Sequence, residues 1–262
     1  MAVDSPCLPA EVKRHLTARL FGRRMYYMPD VDSTNRLAKE LAKDGEREGT
    51  VVVTEFQTAG KGRRSRDWQS PPRKDLLFSL ILKPERNTMD ILPLTLAFSL
   101  GIANVLHDTL DVDVGVKWPN DVVTKSGKIC GILSEGSSQG GKSAWVVVGI
   151  GINVNMAPAD LHGDISAASC LSLTGEEQDR ARLLAAVLAA LDGTYGEFLT
   201  GGFARFLDEY RSALSRLGSR IHFQRNGVDR TGDIEEVQPD GGLVVRTLDA
   251  GLIVLYDEEI TE

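Results

Sequence analysis

Residues 60–66 read GKGRRSR, four cations in seven positions of a chain whose formal net charge is −7. The chemistry such a run can do is anion binding. Two glycines expose backbone N–H groups and admit an anion closely, while Lys61, Arg63, Arg64 and Arg66 add charge-assisted hydrogen bonds suited to phosphate oxygens. A solvated surface loop could carry the same charges. This one, however, lies between the apolar segments TVVVTE and LLFSLIL and ends at Trp68, so it hangs from a sheet, where binding loops are usually mounted.

Four other stretches hold groups of chemical interest. KWPND at 117–121 packs a cation, an aromatic ring, a proline and an Asn-Asp pair into one link, although PND also reads as a plain turn. Lys128 opens the apolar run KICGIL, where a neutral residue would serve folding better. DSTN at 32–35 is made of favoured helix N-caps, yet a cap needs one such residue and four could also grip a polar ligand. The glycines of GIGIN at 149–153 allow a flat ring to approach a strand, or a helix to pack on it.

GSSQGGKS at 136–143 fits the nucleotide-binding pattern G-x-x-x-x-G-K-[ST] at every specified position. That pattern works only when a helix leaves the loop, because phosphates rest on the helix's free N–H groups. Here the exit is SAWVVVGIGINVN, rich in β-branched residues and glycine, which predicts a strand and makes the motif a hairpin turn.

The elements that must position these groups follow from patterning. RLAKELAKDG predicts a helix starting at Asp32–Asn35, and ILPLTLAFSLGIANVLHDTL a long one with Pro93 near its start. VGVKWPNDVV, KICGILSE and AWVVVGIGINVN read as strands joined by short turns, the mark of an antiparallel or mixed sheet. DRARLLAAVLAALDGTYGEFL and FARFLDEYRSAL are helical. From about Leu217, short alternating runs separated by Asn226-Gly227, Asp240-Gly241-Gly242 and Gly251 predict a small β-barrel. The expected class is α+β, divided at 1–25 (a short helical segment), 26–216 (the main domain) and 217–262 (the β appendage).

At 262 residues and 42% hydrophobic content the chain can bury a substantial core. Cys7, Cys130 and Cys170 have no disulfide or metal spacing, and the four histidines are scattered. No leader or long apolar span is evident, so a cytoplasmic protein without a membrane partner is expected. Only 25 residues precede Tyr26, against on the order of 35–40 for a helix-turn-helix. With the negative net charge, this argues against nucleic acid as a partner.

Taken in order, STN at 33–35, QTAGKGRRSRDW at 57–68, KWPND at 117–121, KICGILSE at 128–135 and GIGINVN at 149–155 resemble the motifs of the biotin–protein ligases. Lys61 and Ser65 stand where that family usually has arginine and glycine. The resemblance implies a mixed-sheet catalytic domain followed by an SH3-like C-terminal barrel, in a short form without a DNA-binding domain. It also implies activation of biotin by ATP and Mg²⁺ to biotinyl-5′-AMP, then transfer to a lysine of a biotin carboxyl carrier domain of acetyl-CoA carboxylase or a related carboxylase, with a homodimer possible in such relatives. By family position Ser33, Thr34, Asn35, Gln57, Lys61, Gly62, Arg63, Lys128 and Gly131 surround biotin. Arg63, Arg64, Arg66, Trp68, Asn120 and Asn153 surround the nucleotide. Lys128, Arg63 and Asp121 stand at the reacting atoms, and no metal site of the protein's own is implied. Lipoate–protein ligases and non-catalytic biotin-sensing regulators are the alternatives, and the cations at 61–66 and Lys128 weigh against a module that only binds.

Overall fold

The computed structural model describes residues 6–84, 92–139, 142–161, 166–256, 258 and 260–261. The first helix, α1 (Pro9–His15), takes Pro9 at its first turn, where a missing N–H costs nothing. Strand β1 (Met25–Met28) then pairs in parallel with β2 (Val51–Thr54), the two being joined through α2 (Thr34–Lys43). Every other pairing of this sheet is antiparallel. It continues through β3 (Leu76–Leu82), β7 (Lys142–Ile152), β6 (Gly127–Gln139), β5 (Asp121–Thr124) and β4 (Gly115–Lys117), in the order β1-β2-β3-β7-β6-β5-β4. The sheet is mixed, as the short turns predict.

Its two faces do different things. Val51, Val53, Phe78, Leu80, Val146, Val148 and Ile150 join the main core with α3 (Leu92–Leu110) and α5 (Arg180–Gly201). The opposite face carries a smaller cluster in which Ala38 and Ala42 of α2 rest on Val52, Ile81 and Val147. Helix α2 covers only part of that face, leaving the rest for the site. Helix α5 is long and apolar enough to cross a membrane, yet Leu184, Val187, Leu188, Leu191 and Tyr195 are buried in the core. All three cysteines are buried and free.

Gln139 pairs with Lys142 in a tight antiparallel link between β6 and β7. The strand β7 therefore starts at the lysine of GSSQGGKS, where a phosphate-binding loop would need a helix. Residues 140–141 and the side chain of Lys142 lie outside the described residues.

After α4 (Cys170–Thr174) and α6 (Leu207–Ala213), the chain enters a second sheet made of β8 (Arg220–Arg225), β9 (Val228–Val237), β10 (Leu243–Thr247), β11 (Gly251–Leu255) and β12 (Ile260–Thr261). All its pairings are antiparallel, in the order β11-β10-β9-β8-β12. Trp118 joins the two sheets: its buried indole N–H donates to the Gly241 carbonyl at 2.9 Å. The α+β class, with a mixed main sheet and a small antiparallel one after it, agrees with the expectation.

Candidate active site

One cavity of about 1480 Å³ opens on the face that α2 leaves uncovered. Every candidate residue named from the sequence lies on its wall: Ser33, Thr34, Asn35, Gln57, Lys61, Gly62, Arg63, Arg64, Arg66, Trp68, Asn120, Asp121, Lys128, Gly131 and Asn153. What brings residues so far apart in sequence together is sheet register. Leu77, Gly151, Gly131, Asp121 and Lys117 pair in turn across β3, β7, β6, β5 and β4, forming one row. Directly paired residues share a face, so this row is a floor with two glycines at one end and two charges at the other.

Lys128 would not join that face in a regular strand. It stands three residues before Gly131, an odd number, and successive side chains alternate. The ladder between β5 and β6 slips between Val122 and Val123, so that Val122 faces Cys130 while Val123 faces Lys128. The extra residue re-aims the chain, as bulges do. Lys128 Nζ consequently lies 2.7 Å from Asp121 Oδ1 and 5.4 Å from the centre of the Trp68 ring.

The glycines of the floor are required by what stands on them. A Cβ at Gly151 would sit 2.5 Å from Trp68 Cε2, and one at Gly131 would sit 2.8 Å from Trp68 Cζ3. The indole therefore lies flat against β6 and β7. Its N–H is buried and has no hydrogen-bond partner among the described residues, a polar group left for something else to satisfy.

The start of α2 forms the second wall. Ser33 is at the N-cap position, but its side chain makes no capping bond. Gln57 serves instead, its Oε1 accepting from the Thr34 backbone N–H at 2.7 Å and the Thr34 hydroxyl at 3.1 Å. The Ser33 hydroxyl and Gln57 Nε2 are then without hydrogen bonds among the described residues, and both line the cavity. Asn35 differs, because its Nδ2 donates to the Leu133 carbonyl at 3.2 Å and to Glu135 at 2.8 Å, while its Oδ1 lies 2.6 Å from the Ser79 hydroxyl. Fully engaged, it braces α2 against β6, and a side chain at Gly149 would collide with it.

The basic loop is a small closed turn. Gly62 N–H donates to Arg66 O at 2.7 Å, Trp68 N–H donates to Gly60 O at 3.0 Å, and Lys61 pairs with Asp67 at 2.6 Å. Arg64 and Ser65 both take left-handed backbone, at φ 54° and 61°. That geometry accounts for the glycine usual at Ser65, since a side chain there costs on the order of 1 kcal/mol. Arg63 reaches across the cavity to Asn120 Oδ1 at 3.3 Å, and Asn120 Nδ2 donates to the Ile132 carbonyl at 2.8 Å. Asn153 uses its Nδ2 on Ala168 O at 3.0 Å, tying β7 to the chain beyond it.

Lys117 and Glu135 fall inside two of the motifs without being named as site residues, and Ser79 and Arg216 fall outside all five. Ser79 had a visible signal, being the lone polar residue in LLFSLIL, and it is completely buried. Arg216 had none, because only the fold brings the chain just beyond α6 to the cavity.

Residues 27–153 match the Biotin/lipoate A/B protein ligase family. The chain is 31% identical over 224 residues to the biotin–[acetyl-CoA-carboxylase] ligase of Paracoccus denitrificans, covering 82% of this chain and 91% of that one. It is 29% identical to the corresponding Mycobacterium tuberculosis ligase over 242 residues, 88% of each. Among solved structures, the biotin protein ligase of Aquifex aeolicus in complex with biotin and ATP superposes with a TM-score of 0.77 at 28% identity, covering 91% of this chain and 98% of that one.

Proposed function

The chain belongs to the biotin–protein ligase family, and from that membership we propose how its residues divide the work of joining biotin to a lysine of the acetyl-CoA carboxylase carrier. The biotin carboxylate attacks the α-phosphorus of ATP, forming the mixed anhydride biotinyl-5′-AMP. The bond from that phosphorus to the bridging oxygen breaks, and its electron pair leaves with pyrophosphate. The carrier lysine, as a free amine, then attacks the biotinyl carbonyl, loses a proton and expels AMP.

The observation that carries this reading is the aim of Lys128. The bulge places its ammonium on the cavity face beside the glycine floor, where a carboxylate and a phosphate can meet it together. Negative charge grows on the α-phosphate oxygens in both steps, so a fixed cation there stabilises both transition states. Arg63, steadied by Asn120, and the loop N–H group of Gly60 hold the adenylate, with Lys61, Arg64 and Arg66 adding positive potential, while the Gly62 N–H is spent on Arg66 O inside the turn. Asp121 holds Lys128 in place and stands near enough to the floor to orient the incoming amine. The Ser33 hydroxyl and Gln57 Nε2 bind the ureido ring of biotin, and Thr34 and Asn35 keep them in position. Trp68, grouped with the nucleotide by motif order, lies on Gly131 and Gly151, and we place it on the biotin side. Asn153 offers its Oδ1 to adenine.

Among the described residues no cluster of three His, Cys, Asp or Glu side chains could hold a metal. Mg²⁺ would therefore arrive on the triphosphate, as it commonly does at nucleotide sites. The partner is the carrier domain, with neither duplex DNA nor a membrane involved, and the setting is cytoplasmic. A homodimer through the β1 sheet edge belongs to the same reading. Gel shift with duplex DNA and sedimentation across micromolar concentrations test these last points, and salt-resistant DNA binding or a strict monomer would refute them.

The deciding experiment is exchange of labelled pyrophosphate into ATP. It is expected to require biotin and Mg²⁺ and to fail with lipoate. Equal exchange with lipoate would overturn the substrate assignment.

A further inference from the structure

Lys117 ends the floor row, one strand beyond Asp121 and two beyond Gly131. At strand spacings of about 4.8 Å this places its backbone roughly 10 Å from the glycine floor. Its side chain is half-buried and lines the cavity, and among the described residues it makes no hydrogen bond or ion pair. Arg216 and Arg66 line the same cavity. Burial of the Lys117 ammonium, with Arg216 beside it, holds its pKa below the usual lysine value; Asp121 opposes this, and Lys128 and Arg66 add to it. A half-buried ammonium with Arg216, Lys128 and Arg66 near it, and with the Asp121 carboxylate engaged by Lys128, is costly unless an anion comes to it.

We propose that Lys117, with Arg216, forms the subsite for the β- and γ-phosphates of ATP and so for the departing pyrophosphate. The inference rests on the ligase reading above. The row of paired residues gives the direction: biotin lies beside the Trp68 indole that covers Gly151 and Gly131, the α-phosphate lies at Lys128 and Asp121, and the leaving group extends toward Lys117. Pyrophosphate takes the electron pair of the broken bond, and an ammonium at that end stabilises the charge it gains.

The test is Lys117→Met, with Lys117→Arg as the conservative partner. In biotin-dependent exchange the KM for pyrophosphate is expected to rise roughly tenfold or more in Lys117→Met, a loss on the scale of one charge-assisted hydrogen bond. The KM for biotin should move less than about twofold, and Lys117→Arg should restore most of the pyrophosphate affinity. Transfer from added biotinyl-5′-AMP to the carrier, a step without pyrophosphate, is the control. An unchanged pyrophosphate KM with slowed transfer would mean that Lys117 faces an acidic side chain of the carrier, and would overturn the proposal. Biotin and pyrophosphate KM values rising together would also overturn it, as the mark of a merely structural role. Calorimetry with inorganic pyrophosphate separates the two levels of the argument. Binding by the parent that Lys117→Met abolishes, without any biotin-dependent exchange in the parent, would sink the ligase reading and keep the subsite. No binding in either assay would sink both.

Discussion

The carboxylate of Asp121 and the ammonium of Lys128 stand 2.7 Å apart on neighbouring strands, each side chain about one-fifth exposed. In so screened a place the ammonium is held fixed and only partly solvated, the condition under which a cation aids a reaction most. Lys128→Ala should lower the exchange rate by roughly 10²–10³-fold, with the melting temperature little changed. Asp121→Asn should leave exchange measurable and slow transfer from added biotinyl-5′-AMP more. A near-normal exchange rate in Lys128→Ala would remove that residue from the mechanism.

Arg63→Gly should loosen retention of the adenylate more than it slows its synthesis, because Arg63 spans the cavity to Asn120. Asn120→Ala should reproduce part of the effect by removing the hydrogen bond that Arg63 makes across the cavity. Release of biotinyl-5′-AMP, followed by chromatography or by labelling of unrelated proteins, reads this directly. Retention equal to the parent in both variants would refute the holding role.

Two glycines two residues apart should fail differently. Gly149→Ala drives a methyl group into the Asn35 carboxamide and disturbs its bonds to Ser79, Leu133 and Glu135, so it should cost about 1–3 kcal/mol of stability, as overpacking does. Gly151→Ala displaces the Trp68 indole from the floor of the cavity and should raise the KM for biotin while costing less stability. Urea unfolding and exchange kinetics on the two variants separate these effects; matching losses of stability and biotin affinity would contradict the distinction.

Asp75 offers a pH signature. Burial pushes its carboxyl up to about 6 despite the bonds it accepts from Ser70 and the Val154 N–H. A raised carboxyl pKa means that the folded state binds the proton more tightly than the unfolded chain. The stabilisation is therefore full below about 4 and is lost as pH rises through about 6. Asp75→Asn cannot titrate, so relative to the parent it should gain stability between pH 4 and 7. A difference in urea midpoint that stays flat over that range would show that Asp75 is not perturbed.

Lys142→Ala should leave the ATP KM within about twofold, the size of a substitution outside the nucleotide site. The backbone passes from Lys142 directly into β7, with no helix to receive phosphates. An ATP KM raised tenfold in a folded variant would mean that the nucleotide occupies that loop after all.

Much of this was legible in the sequence because it depended on local pattern. Runs such as LLFSLIL and AWVVVGIGINVN announce strands, RLAKELAKDG announces α2, and the five motifs assemble around one cavity. What could not be read depended on distance or register. Ser33 looked like a cap, but the distant Gln57 performs that role, accepting from the Thr34 N–H across 23 residues of chain. Trp118 sits in the middle of a site motif, yet its indole turns away to Gly241. Lys117 and Arg216 meet only after β4 and α6 have folded to the same rim.

The slipped pairing between β5 and β6 also bears on how the site could be lost. Alternation alone would send the Lys128 ammonium to the side of the sheet occupied by Phe78 and Ile150, and one surplus backbone unit keeps it out. A short insertion or deletion that straightened this stretch could leave every substrate-touching residue present and the protein folded. It would be mute all the same, because its charge would have turned inward.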